Sequence, residues 1–494
     1  MKLLGISFCL FFSTGILHAA DNRLNLVLII ADDMAWDDCG IYGNSNIRTP
    51  SIDRIGREGM RFDRAFLTSS SCSPSRASII TGLYPHNTDA EQLHWPLPAK
   101  HVTFVEKLKA SGYWTASVGK WHLGTDMKER FDLVKEADIS GFQLPTGKAA
   151  QAGRFIQKGT GDEKSGCTAW VPTLQDRPKD KPFFLWLAAI DPHRGYDENI
   201  IEEPTLPEEV IVPPYFPDTL EVRKDLALYY DEIIRLDKYV GLVLDELDAQ
   251  KVAQNTLVLF ISDNGRPFPR DKTTLFDSGI RTPWLVRWPK IVRAGSVNQD
   301  LVSSIDIAPT FLELAGLKAS SSFAGTSFLP MLGKTPRAVR PYVFAEKNWH
   351  DLEDRSRAVR SKRYKYIRNF YDDLPLTPPA DALRSPTFRK MQALRDEGKL
   401  NTAQMACFMK PRSQEELYDL QSDPFEMKNL ATDPDHAETL KRLRFALEQW
   451  QSQTMDLPPK VRTPDEFDRE TGIPTPARIR PRPSKADMQK NLGF

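Results

Sequence analysis

Four apolar runs of strand length, each ending close to polar side chains, most constrain how this chain folds. They cover residues 25–31 (NLVLIIA), 113–118, 182–190 (PFFLWLAAI) and 256–262 (TLVLFIS), the second being the weakest. Continuous runs of branched and aromatic residues are typical of parallel strands that are buried on both faces. Residues 220–247 repeat apolar positions at three- and four-residue steps, which predicts a helix between two of these strands. Because strands alternate with helices, the sequence predicts an α/β layer fold.

The carboxyl ends of these runs supply the candidate site residues. In α/β folds, ligands bind where the parallel strands deliver their carboxyl ends. Each polar pair taken alone has an ordinary explanation as a turn or a helix cap. Four pairs at equivalent positions indicate a shared site instead, and we expect the sheet to bring them to one rim. The pairs are Asp32 and Asp33, Lys120 and His122, Asp191 and His193, and Asp263 and Asn264.

A cysteine stands where another helix is predicted to begin. Ser73 is a candidate N-cap, Pro74 suits the first helical position, and Gly82 suits the end. Cys72 would then lie just before a helix N-terminus, whose unpaired backbone N–H groups attract an anion. Arg76, one turn further, adds a guanidinium that matches a tetrahedral oxyanion. An ordinary buried cysteine is the alternative, but it does not explain a proline and an arginine at these offsets.

The motif around this cysteine resembles the signature of type I sulfatases. That signature is C-x-P-x-R followed by A-S-[IL]-[IL]-T-G, and residues 72–82 are CSPSRASIITG. Five further segments are similar to the family in order and spacing: ADD at 31–33, GKWHLG at 119–124, DPH at 191–193, SDNG at 262–265 and ELYDLQSDPFEMKNLA at 416–431. The resemblance extends to about residue 455. It implies the alkaline-phosphatase-like sulfatase fold, with a large, mostly parallel sheet flanked by helices and a smaller C-terminal antiparallel sheet with a packed helix.

The resemblance implies covalent catalysis at Cys72. In the family, a maturing (formylglycine-generating) enzyme oxidises this cysteine to Cα-formylglycine, or 3-oxoalanine. One hydroxyl of the hydrated aldehyde attacks sulfur, and sulfate leaves when the other hydroxyl is deprotonated. By the same resemblance, His122 assists that release and His193 protonates the leaving group.

A divalent cation and three basic side chains complete the implied site. Hard oxygen ligands suit Ca²⁺ or Mg²⁺, and we expect Ca²⁺. Arg76, Lys120 and Lys272 are expected to hold the sulfate oxygens. Lys272 is assigned by its spacing from Asp263, and a solvated loop lysine is its alternative interpretation. The expected cation ligands are Asp32, Asp33, Asp263, Asn264 and the modified Cys72.

Within the family, the chain is most similar to the heparan N-sulfatases. The segments that carry this similarity are SSCSPSRAS at 70–78, DPHR at 191–194, PYFPDT at 214–219, VGLVLDEL at 240–247 and SDNGRPFPRDKT at 262–273. It favours exo-acting removal of sulfate from N-sulfoglucosamine, with Asp191 near the sulfamate nitrogen or a neighbouring hydroxyl. The other expected substrate contacts are His94, His350 and Arg357. Lys272 stands where those enzymes carry arginine, and the stretch around His350 is shorter.

Three alternatives to N-sulfoglucosamine hydrolysis remain. The first is an O-sulfatase that acts on another sulfated glycan, such as ulvan. The second is a phosphatase or phosphonate hydrolase of the same superfamily, although eight histidines weigh against a di-zinc phosphatase. The third is a protein that binds sulfated glycans without catalysis, which is disfavoured because every expected polar position is filled.

The first residues predict export. Lys2, the apolar run 3–17 and the small residues Ala19 and Ala20 have the layout of a secretory signal at 1–20. We therefore expect a periplasmic or secreted protein, lysosomal or extracellular in a eukaryote, without a membrane span. Lys and Arg number 66, as do Asp and Glu, and this zero formal charge excludes a typical nucleic-acid partner.

The predicted organisation has three parts after the signal. A catalytic domain covers residues 21–337, an α+β subdomain covers 338–456, and a Pro- and Arg-rich, loosely packed extension covers 457–494. Five cysteines are too few for a disulfide scaffold. Apart from the signal residue and Cys72, the three that remain allow at most one disulfide.

Overall fold

The main sheet of the protein has eight strands in the order β5-β4-β6-β1-β7-β8-β2-β9. The structure is a computed structural model that describes residues 23–137, 161–319, 321–333 and 335–478. The predicted signal at 1–20 lies outside these residues. The strands of this sheet are β1 (Asn25–Ala31), β2 (Met60–Phe62), β4 (Trp114–Gly119), β5 (Leu133–Glu136), β6 (Phe183–Ala188), β7 (Thr256–Ser262), β8 (Leu285–Arg287) and β9 (Ser296–Asn298).

The four predicted strands form the centre of this sheet. They are β4, β6, β1 and β7, which are neighbours in that order and pair in parallel. β1 and β7 have the predicted bounds, and both are buried along their whole length. Their side chains alternate between two apolar clusters, one on each face of the sheet. The predicted α/β fold is therefore confirmed, and the four carboxyl ends adjoin one another.

Helices cover both faces of the sheet. They are α1 (Pro50–Arg57), α2 (Cys72–Thr81), α3 (Phe104–Ala110), α4 (Trp170–Asp176), α5 (Leu220–Ala249), α6 (Asp277–Ile280) and α7 (Ile307–Leu314). The predicted helix 220–247 is α5, which begins at the predicted residue because the Thr219 side chain accepts a hydrogen bond from the Val222 amide. The prediction for α2 was wrong by two residues, since Ser71 rather than Ser73 is the N-cap and Cys72 is the first helical residue. Gly82 ends α2 with φ 63°, as predicted.

A second, four-stranded antiparallel sheet follows the catalytic part of the chain. Its strands are β11 (Val343–Lys347), β12 (Ser356–Arg360), β13 (Tyr364–Asn369) and β14 (Glu415–Asp419), paired in chain order. The short strands β3 (Ala65–Phe66) and β10 (Val302–Ser303) pair separately. The C-terminal helices are α8 (Ala380–Leu383), α9 (Pro386–Asp396) and α10 (Ala437–Thr454), of which α10 packs on the second sheet through Leu443, Leu447 and Trp450. The expected C-terminal sheet with a packed helix is therefore present.

Residues 457–462 of the C-terminal extension are exposed, as predicted, but the described residues from 463 onward pack against the fold, contrary to the prediction of a loosely packed end. Phe467 is fully buried, and the Glu466 amide donates to the Asp351 carbonyl over 2.8 Å. The indole N–H of Trp349 donates to the Pro464 carbonyl over 3.0 Å. The extension therefore holds the segment that follows β11.

Cys39, Cys72, Cys167 and Cys407 are buried and free. No helix among the described residues is long and apolar enough to cross a membrane.

Gly119 sets the distance between the carboxyl ends of β4 and β6. Its φ is +103°, and a Cβ at this position would lie 1.9 Å from the Ala188 carbonyl oxygen. The next residue, Lys120, donates its backbone N–H to the same carbonyl over 2.9 Å. A glycine is therefore needed to place Lys120 at the rim.

We expect Gly119→Ala to lower the free energy of unfolding by about 2–4 kcal/mol, because it combines an unfavourable φ with a backbone clash. Gly316→Ala is the matched control, since Gly316 has φ +75° but no atom within 4 Å of the added Cβ. The control should cost only about 1–2 kcal/mol, the conformational part alone. Urea denaturation of both variants measures the difference, and equal losses would contradict the argument.

Candidate active site

Three buried carboxylates lie together at the carboxyl ends of β1 and β7. Asp32, Asp33 and Asp263 are each 0% exposed. The side-chain amide of Asn264 lies between two of them, with Nδ2 2.9 Å from both Asp33 Oδ1 and Asp263 Oδ1. Burial raises the pKa of Asp263, and the negative charge of Asp32 raises it further. This arrangement concentrates negative charge where no water reaches it.

Three basic side chains face these carboxylates. Arg76 Nε and Nη2 each lie 2.8 Å from Asp263 Oδ2. Lys120 donates to Asp32, and Lys272 Nζ donates to Asp33 Oδ2 over 2.6 Å. The structure thus brings together Arg76, Lys120 and Lys272 as predicted.

The environment keeps all three of these side chains charged. Burial acts to lower the pKa of Lys120 and of Lys272, but the neighbouring carboxylates outweigh it and raise both values. The pKa of Arg76 is raised in the same way, chiefly by Asp263 against the effect of burial.

Cys72 lies against this charged group at the first position of α2. Its Sγ is 3.7 Å from Asp32 Oδ1 and 3.9 Å from Asp33 Oδ1, and Asn264 Nδ2 donates to it over 3.2 Å. Burial raises the pKa of the thiol to about 12, against the opposing charges of Lys120 and Lys272. An unmodified Cys72 is therefore protonated at neutral pH and a weak nucleophile.

The loop after β7 folds back to deliver Lys272. Arg266 is buried and pairs with Asp38 through Nε over 2.9 Å, which anchors the loop. The Arg266 carbonyl then accepts from the Lys272 amide over 3.1 Å. Lys272 is 1% exposed, so the alternative of a solvated loop lysine is excluded.

Four of the predicted histidines contact one another or residues of the site. His193 Nε2 is 3.7 Å from Asp33 Oδ2. His122 Nε2 and His94 Nδ1 are 2.7 Å apart, and both residues have positive φ, 58° and 67°. His94 is therefore a hydrogen-bond partner of His122. His350 Nδ1 lies 2.7 Å from the hydroxyl of Ser71, the residue before Cys72.

Two expected substrate contacts have structural roles instead. Asp191 is 1% exposed, and its two oxygens accept from Arg235 Nη2 and Nε over 2.7 and 2.8 Å. Arg357 is 2% exposed and bonds to both oxygens of Asp456 over 2.7 Å. The polar atoms of both side chains are engaged in these internal ion pairs, so the structure supports a structural role for each in place of the predicted sugar contact.

The sequence analysis missed Asp381, a fourth carboxylate at the site. Its Oδ2 accepts from Lys272 Nζ over 2.9 Å and lies 3.7 Å from His193 Nε2. Burial acts to raise the pKa of Asp381, but the charges of Lys272 and His193 outweigh it and hold the pKa well below its usual range. Asp381 lies in the four-residue helix α8, more than one hundred residues from Lys272, and follows no strand, so no sequence pattern marked it.

The residues at the ends of β1 and β7 fit a hard divalent cation. Carboxylate oxygen atoms of Asp32 and Asp263 lie within 4.8 Å of each other and of Cys72 Sγ. Asn264 Oδ1 is buried and has no hydrogen-bond partner among the described residues. A set of carboxylate and amide oxygens is what Ca²⁺ and Mg²⁺ bind, whereas soft metals prefer sulfur and imidazole ligands.

The chain is similar to known families and proteins. Residues 24–317 match the sulfatase family, and residues 268–397 match the family described as N-sulphoglucosamine sulphohydrolase, C-terminal. The chain is 32% identical to human N-sulphoglucosamine sulphohydrolase over 488 residues, which cover 89% of this chain and 92% of that protein. It is 30% identical to an ulvan-active sulfatase of Formosa agariphila over 478 residues, covering 87% and 74% of the two chains.

A solved structure is similar to the fold as well. It shows a protein in complex with its substrate D-glucosamine-2-N,6-O-disulfate. The TM-score is 0.65 at 21% identity, and the match covers 88% of this chain and 99% of that one. At this identity the likeness supports the fold alone.

We expect a divalent cation to stabilise the protein, because it offsets repulsion among the buried carboxylates. At a Ca²⁺ concentration 100 times its dissociation constant, the free energy of unfolding should rise by about 2.7 kcal/mol. Thermal denaturation with Ca²⁺, with Mg²⁺ and with a chelator measures this effect. Asp263→Asn should reduce the response, whereas Asp373→Asn, which changes an exposed ion pair with Arg462, should retain it. Identical melting temperatures with Ca²⁺ and with chelator would contradict the cation site.

Proposed function

Because the chain belongs to the sulfatase family and hydrolyses sulfated sugars, we propose that it releases sulfate from N-sulfoglucosamine at the end of a heparan-type chain. This proposal rests on one observation: the side chains of Cys72, Lys120, Lys272 and His193 all contact the buried carboxylates Asp32 and Asp33. The choice of N-sulfate is supported by the match of residues 268–397 and by the human relative.

The family is generally metal-dependent and uses formylglycine, and the residues present fit both groups. The hydrated aldehyde at position 72 would supply the nucleophilic hydroxyl. A cation held by Asp32, Asp33, Asp263 and Asn264 would polarise that hydroxyl and one sulfate oxygen. We take Ca²⁺ as the favoured ion, with Mg²⁺ as the alternative. A maturing enzyme would be the partner that modifies Cys72, and the secretory signal would direct the protein to the periplasm or the medium.

Basic side chains of the chain would bind the sulfate group. Lys120 pairs with Asp32, Lys272 pairs with Asp33, and both stay charged, so they would bind the sulfate oxygens and offset charge that develops in the transition state. Arg76 lies one turn into α2, where its pairing with Asp263 fixes the guanidinium. Arg76 would therefore hold the carboxylate of Asp263 in place and also attract the sulfate group of the substrate.

Two histidines would transfer protons, one at the hydroxyl of residue 72 and the other at the leaving group. His122, oriented by its bond to His94, would take the proton from the second hydroxyl at position 72 and so release sulfate. His193 lies beside Asp381, which is bonded to Lys272, and would protonate the leaving group. His350 bonds to Ser71 and would orient the start of α2.

The burial of the site supports action at a chain end. Cys72 is 2% exposed and Lys120 is 7% exposed, whereas the His193 side chain is 16% exposed. Leu93 and Trp349 pack against Cys72 and form an apolar wall beside it. A terminal sugar fits such an enclosed pocket better than an internal sugar does.

An O-sulfated algal glycan is the second candidate substrate. The ulvan-active sulfatase of Formosa agariphila is 30% identical to this chain, a value close to that of the human relative. Both candidate substrates would use the same sulfate-binding residues. They differ in the atom that bridges sulfur to the sugar, which is nitrogen in one and oxygen in the other.

We expect Cys72→Ala to lower sulfate release by about 10⁴-fold or more, because the nucleophile is lost while the fold remains. Peptide mass spectrometry of the active protein should find an aldehyde at Cys72. Cys39→Ala is the matched control, since Cys39 is also buried but lies in the core beneath the sheet, and it should retain activity. Unmodified Cys72 in fully active protein would rule out the mechanism.

A screen of defined sulfated sugars tests the substrate. The set contains N-sulfoglucosamine, N-acetylglucosamine 6-sulfate, ulvan oligosaccharides and a phosphate monoester matched to one of the sulfate esters. We expect the highest kcat/KM for N-sulfoglucosamine, measured by ion chromatography of released sulfate. A higher value for ulvan fragments would favour the second candidate, and faster phosphate release would reject both.

A further inference from the structure

Asp381 lies beside His193, the residue proposed to protonate the leaving group. Asp381 Oδ2 lies 2.9 Å from Lys272 Nζ, which is proposed to bind a sulfate oxygen, and 3.7 Å from His193 Nε2. Asp191, by contrast, is engaged with Arg235. Among the described residues, two carboxylates lie next to His193. One is Asp33, an expected cation ligand, and the other is Asp381.

The local structure fixes the orientation of this carboxylate. Asp381 Oδ1 accepts from the Ala382 amide over 2.7 Å, which directs Oδ2 toward Lys272 and His193. The turn itself is held by a bond of 3.1 Å from the Ala380 amide to Asp351 Oδ2. The side chain is only 10% exposed, so Oδ2 is preorganised and largely shielded from water.

The bridging atom distinguishes an N-sulfate from an O-sulfate. In R–NH–SO₃⁻ the bridging nitrogen carries a hydrogen and donates a hydrogen bond. In R–O–SO₃⁻ the bridging oxygen carries only lone pairs and accepts. A carboxylate beside this atom therefore gains a hydrogen bond from the first substrate and faces like partial charge in the second.

We propose that Asp381 Oδ2 accepts a hydrogen bond from the N–H of the sulfamate group and thereby makes the site selective for N-sulfated amino sugars. This inference rests on the proposed function and names the residue that decides its substrate class. Asp381 comes from the C-terminal part of the chain, within residues 268–397 but beyond residues 24–317, so the selectivity would be added to a general sulfate pocket by a later segment.

Asp381→Ala tests the inference through two separate measurements. The first is kcat/KM for N-sulfoglucosamine, which should fall on the order of 10- to 100-fold as the charged hydrogen bond is lost. The second is the dissociation constant of inorganic sulfate, measured by calorimetry on the cation-loaded protein. Sulfate has no bridging N–H, so its affinity should change less than 3-fold or increase, as a negative charge is removed.

A second variant and a control complete the design. Asp381→Asn keeps the shape and a neutral acceptor, so its loss of kcat/KM should be smaller than that of Asp381→Ala. Asp373→Ala removes an exposed aspartate elsewhere and should leave both measurements unchanged. Thermal denaturation checks that each variant is folded.

Three outcomes separate the possible failures. If kcat/KM and sulfate affinity fall by the same factor, Asp381 only positions Lys272 and the inference is overturned. If neither changes, Asp381 has no role in selectivity and the inference is again overturned. If the wild-type protein does not hydrolyse N-sulfoglucosamine at all, the proposed function fails first and the inference fails with it.

Discussion

Repulsion among buried carboxylates is the constraint on which the rest of the site depends. Asp32 and Asp263 are fully buried, with oxygens within 4.8 Å of each other. At that distance two like charges repel by about 3–4 kcal/mol in a partly screened interior. No fold tolerates such a group without compensating charge, and Arg76, Lys120 and Lys272 supply it. The same basic side chains are those a sulfate needs, so the charges that stabilise the buried carboxylates also prepare the pocket for its anion.

The parallel sheet brings these charged residues together. β4, β6, β1 and β7 are neighbours and run in parallel, so residues far apart in the chain reach one rim. The strand ends are tied to one another by backbone bonds, such as those from Asp32 to Asp191 over 2.9 Å and from Lys120 to Ala188 over 2.9 Å. Gly119 allows the second of these bonds because it has no Cβ. The precision of the site therefore comes from the parallel sheet, and the loops add to it.

Most of the central architecture could be predicted from the sequence, because local patterns determine it. β1 and β7 have the predicted bounds, and the polar residues that follow them meet as expected. The prediction for Asp191 failed because its partner, Arg235, lies on α5, and nothing near Asp191 in the chain indicates that ion pair. Asp381 was missed for the same reason, since its role depends on a contact between α8 and the loop that carries Lys272. Patterns in the sequence identify which residues a strand delivers, but not which long-range partners will neutralise them.

The balance of charge explains why this pocket suits a sulfate rather than a phosphate. With the histidines left out of the count, the carboxylates of Asp32, Asp33, Asp263 and Asp381 exceed the three basic side chains by one negative charge. A divalent cation would reverse the sign and leave one positive charge. A sulfate ester or sulfamate is a monoanion and neutralises it, whereas a phosphate monoester is close to a dianion at neutral pH. The dianion would leave an uncompensated negative charge in a buried site, which is costly. Asp381 thus contributes twice, since its carboxylate lowers the positive charge of the pocket to the value that a monoanion requires and faces the atom that bridges sulfur to the sugar.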